Sequence, residues 1–223
     1  MGALMNVGGR FITFEGMDGS GKSTQLERVA EYLSAQAIPI VKTREPGGTK
    51  IGQDIRALLT EERDAPLSVF SEALLIFAAR QAHVHSIIKP SLDAGSWVLC
   101  DRFIDSTYAY QFFDTGLDIE LFAHLCKISV GSIIPNRTYI FDVDPTVAED
   151  RRLKRQTNFG DEDPAEAYRN YDRIRQGFRD AYANDKARCI LLDADLDENE
   201  ICSAIFSDLE ALYKIDSTPK NRG

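Results

Sequence analysis

The sequence predicts an α/β fold, a five-stranded parallel sheet with helices on both faces, and three observations predict it. Apolar strand-like runs alternate with helical stretches, which implies βαβ crossovers. A glycine-rich loop separates the first such strand from the first helix. Polar clusters fall directly after strands, at Asp18–Ser23, Arg44–Gly48 and Asp101–Arg102, where ligands bind in sheets of this kind.

Taken in order, Arg10–Glu15 reads as a buried strand ending at Gly16. Leu26, Val29, Ala30 and Leu33 then recur at helical spacing between Lys22 and Gln36. Ile38–Thr43 is the second strand, followed by helical patterns over Ile51–Leu59 and Leu67–Leu92. Trp97–Cys100 is the third strand, with helical segments at Ser106–Phe113 and Ile119–Val130 after it. Thr138–Val143 and Cys189–Leu192 are the fourth and fifth strands. The charged stretch Ala148–Asp185 between them is helical at both ends and broken at Thr157–Pro164, and a last helix covers Glu198–Tyr213. Residues 1–9 and 216–223 read as disordered tails of a single domain over 10–215, with a small lid at 148–166.

A net charge of −9 leaves no broad basic surface for a polynucleotide. A few arginines in a cleft can still focus a field on a small anion. The four cysteines form no Cys-x-x-Cys or Cys/His metal pattern and read as reduced thiols. With no signal-like apolar segment at the start and no span of about 18 apolar residues, a cytoplasmic chain with no membrane contact is expected.

Gly16-Met17-Asp18-Gly19-Ser20-Gly21-Lys22-Ser23, followed by Thr24, matches the Walker A pattern in its strand–loop–helix setting. Glycines let several backbone N–H groups converge on one anion, and the helix dipole adds to them. Lys22 can reach the β- and γ-phosphates of ATP and Ser23 can ligate Mg²⁺. The guanine-reading Asn-Lys-x-Asp of GTPases is missing, since Asn184-Asp185-Lys186 has a different order. A motor ATPase would need an acid closing an apolar strand, for which Asp101 or Asp142 would serve.

Further segments carry a resemblance. Thr43-Arg44-Glu45-Pro46-Gly47-Gly48-Thr49, Phe77-Ala78-Ala79-Arg80 with His83, and Asp101-Arg102-Phe103 with Ser106-Thr107-Tyr108-Ala109-Tyr110-Gln111 precede an arginine-rich lid. Together they resemble thymidylate kinase of the bacterial type, from Phe11 to about Tyr213. The resemblance implies the P-loop fold of nucleoside-monophosphate kinases, with ATP and dTMP as substrates in dTTP biosynthesis, Mg²⁺ as cofactor and a homodimer. It places Glu45 and Pro46 along the acceptor's sugar and phosphate, Arg56 on that phosphate, and Arg80 on the thymine carbonyl edge. Ser106 and Thr107 would read the base, with Tyr110 and Gln111 against sugar and base. Asp101 would hold the metal with Ser23, and Arg102 would fork onto a phosphate. Each of these arginines also admits a structural reading, as an internal salt bridge or a solvated helix face.

The family's stacking phenylalanine lies four residues before this arginine, at Ile76 here; Phe77, three before, shares that helix face and is expected to cover the base. Asp18 resembles the carboxylate near sugar and metal. Gly19 stands where some relatives carry a catalytic arginine, so the lid should supply it. Arg151, Arg152 and Arg155 are the candidates, and Arg151 and Arg155 fit the lid pattern best. Many relatives have Asp-Arg beyond the lid tip, whereas Asp161 is followed by Glu162. Other readings of the same loop are a different small P-loop nucleotide or nucleoside kinase, or a nucleotide-dependent ATPase switch.

Overall fold

The computed structural model describes residues 8–61, 63–113, 115–159 and 169–213, with the backbone alone for 155–159. Of the expected tails at 1–9 and 216–223, residues 1–7 and 216–223 lie outside the described residues, as do the outer lid with Asp161, Glu162 and Pro164 and the side chain of Arg155. The strands are β1 (Phe11–Gly16), β2 (Ile40–Arg44), β3 (Trp97–Asp101), β4 (Arg137–Asp142) and β5 (Cys189–Asp193). They form one parallel sheet in the order β2-β3-β1-β4-β5. Every residue of β1 is buried, as expected of a central strand covered on both faces.

The helices are α1 (Lys22–Ala35), α2 (Lys50–Thr60), α3 (Val69–His83), α4 (Lys89–Asp93), α5 (Ile104–Thr107), α6 (Ile119–Val130), α7 (Pro145–Phe159), α8 (Tyr171–Asn184) and α9 (Glu198–Tyr213). Leu26, Val29, Ala30 and Leu33 of α1 join Ile12, Phe14, Leu99 and Tyr139 in one core, while Phe11, Val98, Cys100, Val84 and Ile88 form another. The alternation of Phe11 against Ile12 and Phe14 follows the period of two in a strand. Each such side chain contributes about 2 kcal/mol on burial. Among the described residues no helix is long and apolar enough to cross a membrane.

Several boundaries differ from the sequence pattern. The second strand begins at Ile40 because Ala37, at φ 59°, still belongs to the turn that ends α1. The apolar run 67–92 starts at Val69, capped by Ser68, and is interrupted by a π turn at Val84–Ile88. A second π turn, Tyr108–Phe112, extends α5; an extra residue per turn is invisible to an apolar periodicity.

Candidate active site

Parallel register brings the strand ends to one edge. Phe14 and Arg44 both pair with Asp101, Gly16 pairs with Phe141, and Asp142 with Asp193. Beyond this edge lies a cavity of about 430 Å³, a size that holds a small ligand. Its walls include Asp18, Gly19 and Ser23 of the glycine-rich loop, Arg44, Glu45, Pro46 and Arg56, and Arg80, Asp101, Arg102, Ser106, Thr107, Tyr110 and Gln111.

The loop leaves α1 open at its N-terminus: Gly21, at φ 90°, supplies no capping side chain, so first-turn N–H groups remain for an anion. Lys22 is buried and its Nζ donates to the Met17 carbonyl at 2.8 Å, with Asp18 at 3.7 Å. Burial first, and the Arg102 charge second, lower the Lys22 pKa to about 8. The Met17 side chain packs in the core, so only its backbone faces the loop. A Cβ on Gly19 would sit 2.3 Å from the carbonyl oxygen of Ala148 in α7. The root of the lid helix therefore rests on the loop, where an arginine has no room.

The acceptor side is organised by α3. Glu72, Ile76 and Arg80, at i, i+4 and i+8, line the cavity as one stripe. Arg80 is buried; its Nε donates to Glu45 at 2.7 Å, and its Nη2 donates to the Phe103 carbonyl at 2.9 Å and Thr107 Oγ1 at 2.8 Å. Its Nη1 is buried without a protein partner. Glu45 uses its other oxygen for His83 Nδ1 at 2.9 Å, and His83 Nε2 lies 2.6 Å from Thr43 Oγ1. Gly48 must lack a side chain here, because a Cβ would meet the His83 ring at 2.5 Å.

Phe77 does not face this cavity, contrary to the sequence reading. It packs against Phe112 and Phe122, with the Arg80 guanidinium over its ring, and Ile76 forms the wall instead. One residue along a helix is about 100° of rotation, and the apolar partners on α6 and in the second π turn claim that face.

The lid also needs a correction. Arg151 Nη1 donates to the Ala194 carbonyl at 2.9 Å and stays outside the cavity walls, whereas Arg152, beside the Tyr171 hydroxyl, lines them. The carbonyl after β5 thus holds the arginine the pattern favoured. Asp142 is likewise no free acid, since Arg175 and Arg179 bind it at 2.7 Å and 2.6 Å.

Sequence reasoning missed Arg169, whose guanidinium lies over one side of Tyr110, within reach of Glu72 at 3.7 Å; only its place in a charged stretch hinted at it. It also missed Glu15, read merely as the last residue of a strand. Glu15 is fully buried, and burial, reinforced by the Asp105 charge, pushes its pKa up to about 8. The folded chain then binds one more proton than the unfolded chain between pH 4.5 and about 8, so stability falls as pH rises through that window. We expect Glu15→Gln to lack this slope, so that its Tm gains on the wild type between pH 5 and pH 8. Parallel Tm curves in a thermal-shift series would refute the assignment.

Ser23 Oγ donates to Asp101 Oδ2 at 3.0 Å, while Asp101 Oδ1 is buried with no protein partner. A serine hydroxyl and one carboxylate beside a phosphate site fit Mg²⁺, which takes few protein ligands and completes its shell with water and phosphate oxygens. Among the described residues no cluster of three or more His, Cys, Asp or Glu side chains offers an all-protein cage.

Comparison with known proteins gives one family. The family model described as thymidylate kinase matches residues 14–205. A thymidylate kinase from Sulfurihydrogenibium sp. is 40% identical over 91% of this chain and 97% of its own. One from Nitrobacter hamburgensis is 39% identical, covering 95% and 93%. The crystal structure of thymidylate kinase from Ehrlichia chaffeensis superposes with a TM-score of 0.72 at 36% identity, over 91% of this chain and 99% of that one.

Proposed function

The chain belongs to the thymidylate kinase family and phosphorylates dTMP to dTDP with ATP as donor, and we propose the following division of labour among its residues. The N–H groups of Gly16–Thr24 cradle the β- and γ-phosphates, and Lys22 moves from the Met17 carbonyl onto them. Ser23 and Asp101 hold Mg²⁺, which when bound neutralises charge on the phosphates. Arg56 takes the 5′-phosphate of dTMP. Arg102, oriented by Asp18 at 2.8 Å, and Arg152 face the transferred group. Glu45 and His83 fix Arg80, whose spare Nη1 donates to a carbonyl of the base. Pro46, Ile76, Tyr110 and Gln111 enclose the nucleoside.

The observation that carries this reading is the continuity of the cavity. One space joins Asp18, Gly19 and Ser23 of the donor loop to Arg56, Arg80 and Arg102 on the acceptor side. Phosphoryl transfer needs that alignment and charge neutralisation, while the acceptor phosphate, with a second pKa of about 6, needs no strong base. A coupled assay with dTMP, dUMP, dCMP and thymidine tests it. A clear preference for dTMP is expected; equal rates across the panel, or ADP release without any acceptor, would reject it.

Arg80→Ala should raise the KM for dTMP about 30-fold, the equivalent of about 2 kcal/mol of charged hydrogen bonding, with the KM for ATP unmoved. A parallel rise in both constants would mark Arg80 as a structural residue.

We further propose a homodimer in the cytoplasm. Val69, Phe70 and Leu74 on α3, Leu58 on α2 and Ile119 on α6 are large apolar residues left exposed, a pattern that marks an interface. All four cysteines are free thiols, in keeping with a reducing compartment. Light scattering should give a dimer for the wild type and a monomer for Phe70→Glu with Leu74→Glu; a monomeric wild type would disprove the dimer.

A further inference from the structure

Glu15 is a buried acid for which the reaction as described above has no use, yet it touches the catalytic turn at two points. Its Oε1 accepts from the Phe103 N–H at 2.7 Å, and its Oε2 accepts from Ser106 Oγ. The same Ser106 oxygen accepts from Arg102 Nη1 at 3.0 Å. One carboxyl group therefore holds the backbone immediately after Arg102 and, through a single hydroxyl, the Arg102 guanidinium itself.

The turn needs such a grip. Arg102 has φ 69°, a left-handed conformation that costs a residue with a Cβ about 1 kcal/mol or more. Its N–H donates to the Phe14 carbonyl at 3.0 Å, and the Cys100 thiol donates to its carbonyl at 3.1 Å. Neighbouring charges are already committed. Asp105 is paired with Arg188 through two contacts of 2.8 Å, Arg80 with Glu45, and Lys22 with the loop. Glu15 joins the end of β1 to both halves of the Arg102 turn. Ser106, whose sequence context resembles a base reader, has its hydroxyl engaged between Glu15 and Arg102 instead.

We propose that Glu15 is a positioning residue for phosphoryl transfer, aiming the Arg102 guanidinium by holding the Phe103 N–H directly and Arg102 through Ser106. This rests on the reading of Arg102 as facing the transferred group.

The test is steady-state kinetics on the full chain, with ATP and dTMP varied separately. Absence of dTMP turnover in the wild type would overturn the functional reading itself, before any variant is compared. Given turnover, Glu15→Ala should lose about 100-fold in kcat, the scale of one misplaced transition-state donor. Its KM for ATP should stay at the wild-type value. Glu15→Gln, which keeps an oxygen for the Phe103 N–H and an N–H for Ser106, should recover most of that loss. Ser106→Ala removes only the link to the guanidinium and guards against a Glu15→Ala chain that does not fold; it should lose about tenfold in kcat. A Ser106→Ala enzyme with wild-type kcat overturns the proposal. So does one whose KM for dTMP rises at constant kcat, because Ser106 would then read the base.

Discussion

Gly19→Ala is expected to lower kcat about 100-fold, although it adds one methyl group and changes no charge. The added Cβ would lie 2.3 Å from the Ala148 carbonyl oxygen and 3.0 Å from its carbon, at a backbone φ of 86°. Both partners are backbone, so no side chain can swing aside. Either the loop or the root of α7 must move, and misplacement by about 1 Å in a transferase can cost 10²-fold. Gly19→Arg should be no better, because the same Cβ comes first and the charge cannot compensate for a displaced lid. Steady-state kinetics and thermal melting together check this. A Gly19→Ala enzyme of wild-type kcat would show that α7 does not rest on the loop during turnover.

Lys22→Ala should cut turnover by about 10²–10³-fold while leaving the fold intact. The ammonium is the one loop side chain that can follow charge onto the transferred phosphate, and a preorganised donor of this kind is worth about 10²–10³ in rate. Stability should hold or rise, since burial already disfavours the charged form and pulls the pKa down to about 8. Circular dichroism melts beside single-turnover kinetics make the measurement. A large fall in Tm would give Lys22 a structural role that its contact with the Met17 carbonyl does not require.

The fold was legible because its signals are local. Glycines at 16, 19 and 21 between a buried strand and a helix admit few other uses, and the order of strands and helices constrains the sheet. Site residues at strand ends were legible for the same reason, since Arg44, Asp101 and Arg102 are brought together by register alone. What sequence could not give was helical phase against unseen neighbours. Phe77 and Ile76 differ by one position, and the aromatic partners Phe112 and Phe122 decide between them. The lid arginines follow the same logic, because the Ala194 carbonyl and the Tyr171 hydroxyl sit far away in sequence. Glu15 was hidden differently. An acid at the end of an apolar strand looks like its first solvated residue until the αL turn at Arg102 folds over it.

On the proposed reading, one cleft aligns the γ-phosphate of ATP with the phosphate of dTMP. Phosphorus NMR of the chain with ATP, dTMP and Mg²⁺ tests it most directly. The γ-phosphate signal of ATP should be lost as the β-phosphate signal of dTDP appears, one for one. Conversion of ATP to ADP and inorganic phosphate, with dTMP unchanged, would contradict it.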